Sequence, residues 1–113
     1  MSETGRTYRR PFKGHPSEAA EVRAWTRTRN PHPDAPTVAN ELFVAVLGAG
    51  PDIVEVSLST AGDRLRITAT GPEPLPVRHS HGPGWRIVSG LSRTSGVTTD
   101  ERGLWAEIQD GTP

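Results

Sequence analysis

Apolar positions along the chain recur in two rhythms, one near every third or fourth residue and one at every second, and these rhythms divide it into helices and strands. Tyr8 to Lys13 reads as a short leading strand, stopped by Gly14 and Pro16. A helix follows with Ser17 as its N-cap. Glu18 and Glu21 stand in its first turn and Arg27 and Arg29 near its end, where the helix dipole favours each charge, and Val22 and Trp25 form its apolar side. Asn30 to Pro36 carries prolines at 31, 33 and 36 and breaks it. From Thr37 a second helix is predicted by Val38, Leu42, Ala45, Val46 and Ala49, with Gly48, Gly50 and Pro51 as its stop. Val54, Val56 and Leu58 alternate, as do Leu65, Ile67 and Ala69, so the turn Ala61-Gly62-Asp63 joins an antiparallel hairpin. Gly71 to Pro83 has no period and reads as a loop. A glycine-led helix then runs from Gly84 to about Thr94, followed by a strand around Val97 to Thr99 and a last strand through Leu104, Ala106 and Ile108.

This order predicts an α+β fold, a two-layer sandwich with a mainly antiparallel sheet of four to five strands covered on one face by about three helices. Residues 1-113 make one domain, with 1-6 and 110-113 expected to be disordered ends. Hydrophobic residues make up 33% of the chain beside 12 glycines and 11 prolines, which suits long connections around a small core. No internal repeat is visible.

Charge and chemistry narrow the function. The formal net charge is zero, but the first 29 residues are basic: Arg6, Arg9, Arg10, Lys13, Arg23, Arg27 and Arg29 face only Glu3, Glu18 and Glu21. Without an aromatic ladder this reads as a solvated face rather than a nucleic-acid surface. The absence of cysteine excludes disulfides, thiolate metal sites and thiol nucleophiles. The apolar run from Leu42 to Gly50 is too short to cross a bilayer and the N-terminus has no secretion-signal pattern, so a cytoplasmic protein is expected, with no membrane partner.

Gly82-Pro83-Gly84-Trp85-Arg86-Ile87-Val88 places glycines at a helix start, where unpartnered backbone N–H groups can cradle a phosphate. With Asn40-Glu41-Leu42-Phe43-Val44 and Arg64-Leu65-Arg66-Ile67-Thr68-Ala69-Thr70 before it, this segment resembles the boxes of the bacterial anti-sigma-factor kinase-like ATPases, of the gyrase and histidine-kinase superfamily. The resemblance runs from Phe12-Lys13-Gly14-His15-Pro16-Ser17 to Trp105-Ala106-Glu107-Ile108 and implies the histidine kinase-like ATPase fold. It makes Asn40 to Val44 part of the first nucleotide-box helix, puts the adenine-binding turn after Thr70, and makes Gly82 to Gly84 the glycine box behind the lid.

The groups that do chemistry in that family are only partly present. Its first box has a Glu followed four residues later by a magnesium-binding Asn on the same helix face; here Glu41 is followed by Ala45, which offers no ligand. Asn40, five positions before Ala45, points about 140° away around the helix. The Asp that receives the adenine amine is replaced by Gly71, or by Thr70 if the register shifts by one, and Pro72 removes a donor. Such losses amount to roughly two to four powers of ten in affinity.

The resemblance therefore implies a degenerate member, a pseudo-ATPase acting as a regulatory protein-binding module in transcriptional or developmental control. No cofactor is expected, with Mg-ATP bound only if the site is retained. The implied partner is a sigma factor, an anti-sigma antagonist or a helix-turn-helix regulator, and a homodimer is an option. Uncovered apolar residues of the first helix and leading strand are the candidate contact surface. The alternative is an active serine/threonine kinase with Glu41 as general base and Thr70, Gly71, Gly82, Gly84 and Trp85 on the nucleotide. Arg78, His79 and His81 offer a phosphate or metal contact, but nothing beside them completes a site. Trp85 and Trp105 read as core.

Overall fold

The computed structural model of the chain describes residues 5–76 and 83–111. Strand β1 (Thr7–Lys13) leads through a 3-10 turn at Pro16–Glu18 into helices α1 (Ala19–Arg29) and α2 (Ala35–Leu47). Strands β2 (Ile53–Ala61) and β3 (Arg64–Thr70) form a hairpin. Helix α3 (Pro83–Leu91) precedes a second hairpin of β4 (Thr94–Val97) and β5 (Gly103–Gln109). All neighbours in the five-stranded sheet are antiparallel, in the order β1-β2-β3-β5-β4. The fold is α+β, with the helices on one face of the sheet.

Period-two patterning decides which face is covered. Leu58 lies opposite Ile67, which lies opposite Ala106, and Leu65 lies opposite Ile108; all are buried beneath the helices. α2 contributes Val38, Leu42, Phe43 and Val46 to this core. Phe12 of β1 meets Trp25 of α1 and Phe43 of α2 edge-on, with ring centroids 5.8 and 6.1 Å apart, and so locks three elements together. Phe12, Val22 and Trp25 are buried within the chain, and the apolar surface expected on α1 and β1 is consumed by its own core.

Several local expectations are corrected. Ser17 is not an N-cap: it lies inside the 3-10 turn, where the His15 ring nitrogen Nδ1 accepts from its N–H, and α1 begins only at Ala19. α2 starts at Ala35, because a proline in the first turn costs no helical hydrogen bond. α3 ends at Leu91 rather than Thr94, since Thr94–Val97 pairs with β5; the strand expected at Val97 to Thr99 begins three residues earlier. Trp105 alternates with Leu104 and Ala106 and points away from the core. On the open face of the sheet the Arg66 guanidinium lies 4.2 Å above its ring, and its indole N–H donates to the Val97 carbonyl at 3.2 Å.

Of the stretches expected to be disordered ends, residues 1–4 and 112–113 lie outside the described residues, whereas the inner parts are held to the body. Thr60 N–H donates to the Arg6 carbonyl at 2.8 Å, and Asn30 engages both Asp110 and Gly111. Among the described residues no helix is long and apolar enough to cross a membrane.

Candidate functional site

α2 is the spine of the candidate site, because both other segments of interest pack against it. At its N-terminal half, a Cβ added to Gly84 would run into the Glu41 carboxylate, so glycine is what lets the first turn of α3 lie on this side chain. At its C-terminal end, the Cβ position of Gly71 is 3.6 Å from the Val46 side chain and 3.5 Å from that of Pro51. Ala45 lies between them, half-buried against the core. Glu41 and Leu47 are separated by roughly 9 Å along the helix axis; Ala49, expected on the apolar face of this helix, lies in the turn beyond its Gly48 C-cap.

The remaining residues fall in different places. Thr70 follows the buried Ala69 on β3 and therefore projects onto the open face, away from α2; of the two registers considered for the adenine position, the chain brings Gly71 to the helices and not Thr70. Asn40 faces α1, where its side-chain oxygen accepts from Arg23 Nη1 at 2.6 Å, and is engaged there rather than beside Ala45. Trp85 is half-buried against the core, Val88 is buried, and Leu91 is more exposed than its helical position suggests. Gly82 lies outside the described residues, as do Arg78, His79 and His81.

A cleft of about 300 Å³ opens where the end of α2 meets the segment after β3. Val46 and Ala49 form one wall and Gly71 to Pro76 the other, with Pro51 and Asp52 between. The second wall is a run of alternating prolines docked on the β4–β5 turn: Gly71 N–H donates to the Arg102 carbonyl at 2.9 Å and Leu75 N–H to that of Glu101 at 2.7 Å. That turn is organised by Asp100. Its carboxylate accepts from the Thr98 hydroxyl at 2.6 Å and from Arg102 N–H at 3.0 Å, and these bonds, the hydroxyl first, hold its pKa below the usual aspartate range.

No protein-family model and no curated protein matches this chain.

The chemistry of the site is thus argued from its atoms. The side chains of Ala45 and Gly71 supply neither a ligand for a hard cation nor a carboxylate acceptor for an adenine amine. The α3 N-terminus, where an anion would be favoured, is faced by the Glu41 carboxylate, which already supplies negative charge there. Among the described residues no three His, Cys, Asp or Glu side chains gather in a group that could hold a metal ion. The cleft itself, with Asp52 and its proline wall, was not singled out from the sequence. Its signal is the strict alternation Gly71-Pro72-Glu73-Pro74-Leu75-Pro76, which removes every second N–H from one wall.

Proposed function

We propose that the chain is a degenerate relative of the anti-sigma-factor kinase-like ATPases, a regulatory module that acts by binding a protein and not by turning over ATP. One observation carries this reading: α2 holds the first segment that resembles a nucleotide box and the other two pack against it, with Gly84 over Glu41 and Gly71 against Val46, while the positions that would hold magnesium and adenine are Ala45 and Gly71. Architecture is kept and ligating atoms are not. Asn40, the one amide near the first position, is tied to Arg23 on α1. A sigma factor, an anti-sigma antagonist or a helix-turn-helix regulator is the class of partner that follows from the resemblance, which is analogy and needs its own test.

Calorimetric titration of the full chain with magnesium-ATP tests the loss of nucleotide binding. The expected result is no binding heat at millimolar nucleotide, because losing the metal ligand and the charged adenine contact costs roughly two to four powers of ten in affinity. Micromolar binding would overturn the reading and favour a kinase with Glu41 as base. Co-purification from the native host then reads the partner, and recovery of nucleotide without protein would contradict a protein-binding role.

A further inference from the structure

The cleft at the end of α2 has an unusual chemical inventory. None of its described lining side chains carries a hydrogen-bond donor: they are glycine, alanine, valine, leucine, proline, and the carboxylates of Asp52 and Glu73. Backbone donors are nearly exhausted as well. Pro51, Pro72, Pro74 and Pro76 have no N–H, and those of Gly71 and Leu75 are spent on the β4–β5 turn. On the opposite wall the N–H groups of Ala49 and Gly50 are spent on the carbonyls of Val46 and Leu47. Among the described lining residues only Asp52 and Glu73 keep an uncommitted backbone N–H, and these residues bring the two negative charges.

The polar groups that the described lining residues offer a ligand are therefore chiefly oxygens. The end of α2 adds the negative pole of its dipole to the two carboxylates. These carboxylates repel an anion, and among the described residues a purine base would find oxygens for its amine but almost no donor for its ring nitrogens. A donor-rich cation meets the opposite situation. Its charge is offset by Asp52 and Glu73, its N–H groups find acceptors, and its carbon stem lies on Leu75 and the proline rings.

We propose that this cleft binds an organic cation, a guanidinium or primary ammonium group on a short apolar stem. A volume of about 300 Å³ accommodates one such group with its stem. The proposal rests on the cleft alone and stands or falls independently of the family resemblance.

Two probes separate the sources of this chemistry: n-butylguanidinium as a free cation, and N-acetyl-arginine amide as a peptide-borne side chain. N-acetyl-citrulline amide is the neutral isostere. Each is titrated into the full-length ¹⁵N-labelled chain while the amides of Ala49, Gly50, Asp52, Gly71, Glu73 and Leu75 are followed. The two cations should shift these amides with millimolar dissociation constants, as befits a partly solvated pair of carboxylates. Preference for the arginine amide over the alkyl cation would assign the site to a protein side chain, and the reverse to a small amine. Citrulline amide should bind at least about tenfold more weakly, and Asp52→Asn with Glu73→Gln should weaken the cations by a similar factor. Both carboxylates are on exposed residues, so the variant should melt at the wild-type temperature. Equal binding of citrulline amide, undiminished cation binding by the double variant, or no shift at tens of millimolar cation would each overturn the proposal.

Discussion

At the scale of single residues, two positions beside the cleft hold its far wall in place. Gly103 faces Thr70 across β3 and β5, and a Cβ there would collide with the Ala69 carbonyl and the Thr70 side chain. Backbone cannot yield as a flexible side chain does. Gly103→Ala should therefore destabilise the fold by about 1–3 kcal/mol, read as a lower urea midpoint, and an unchanged midpoint would show that β5 has room to move. Asp100 acts through charge. Its folded pKa lies below the unfolded value, so its contribution is fully present above the ordinary aspartate range and is lost as pH falls through the lowered folded value. Asp100→Asn removes this dependence. Acid unfolding curves of the two proteins should converge at low pH and separate above it, with the wild type the more stable; parallel curves would remove Asp100 from the account.

Elements show where a sequence is informative and where it falls short. The Thr60 N–H bond to the Arg6 carbonyl and the Gly14 N–H bond to the Asp52 carbonyl turn the even-numbered backbone groups of β1 toward β2. Pro11 is odd-numbered, at an outward slot on the free edge, so it costs the ladder nothing and withholds a donor from any incoming strand. Pro11→Val restores that donor. Concentration-dependent self-association by light scattering is expected for the variant and not for the parent chain; a monomeric variant under the same conditions would mean that the edge is guarded by charge alone. The long alternations of β2, β3 and β5 were legible because each has one face fully buried. β4 begins earlier than the sequence pattern predicts, for it is a short edge strand with Gly96 lying under the Trp105 indole and no apolar stripe of its own. Trp105 itself was readable: its parity against Leu104, Ala106 and Ile108 excludes it from the core, and parity outweighs the habit of counting tryptophan as buried. The cleft was hidden because its walls are some twenty residues apart in sequence, and only the docking of Gly71 and Leu75 on the β4–β5 turn brings them face to face.

Across the whole molecule, one buried side chain joins the end of the chain to the helical layer. Asn30, which follows α1, is 3% exposed and donates from Nδ2 to the Asp110 carboxylate at 2.7 Å. Its Oδ1 accepts from His32 N–H at 3.0 Å and from Gly111 N–H at 3.2 Å. The asparagine amide supplies both the donor and the two-fold acceptor from one short side chain without a charge. Asn30→Ala removes these contacts and leaves backbone donors near the interior unsatisfied, which should cost about 1–3 kcal/mol. Asn30→Asp keeps the acceptor for His32 and Gly111 but sets a second carboxylate against Asp110. If acceptance alone matters, Asp should be milder than Ala; if the bond to Asp110 governs, Asp should be at least as destabilising at neutral pH. We expect the second, with the deficit shrinking as acid protonates one of the facing carboxyls. Thermal melts of both variants at neutral and mildly acidic pH decide it, and an aspartate variant as stable as the parent at neutral pH would show that the clasp does not depend on Asp110.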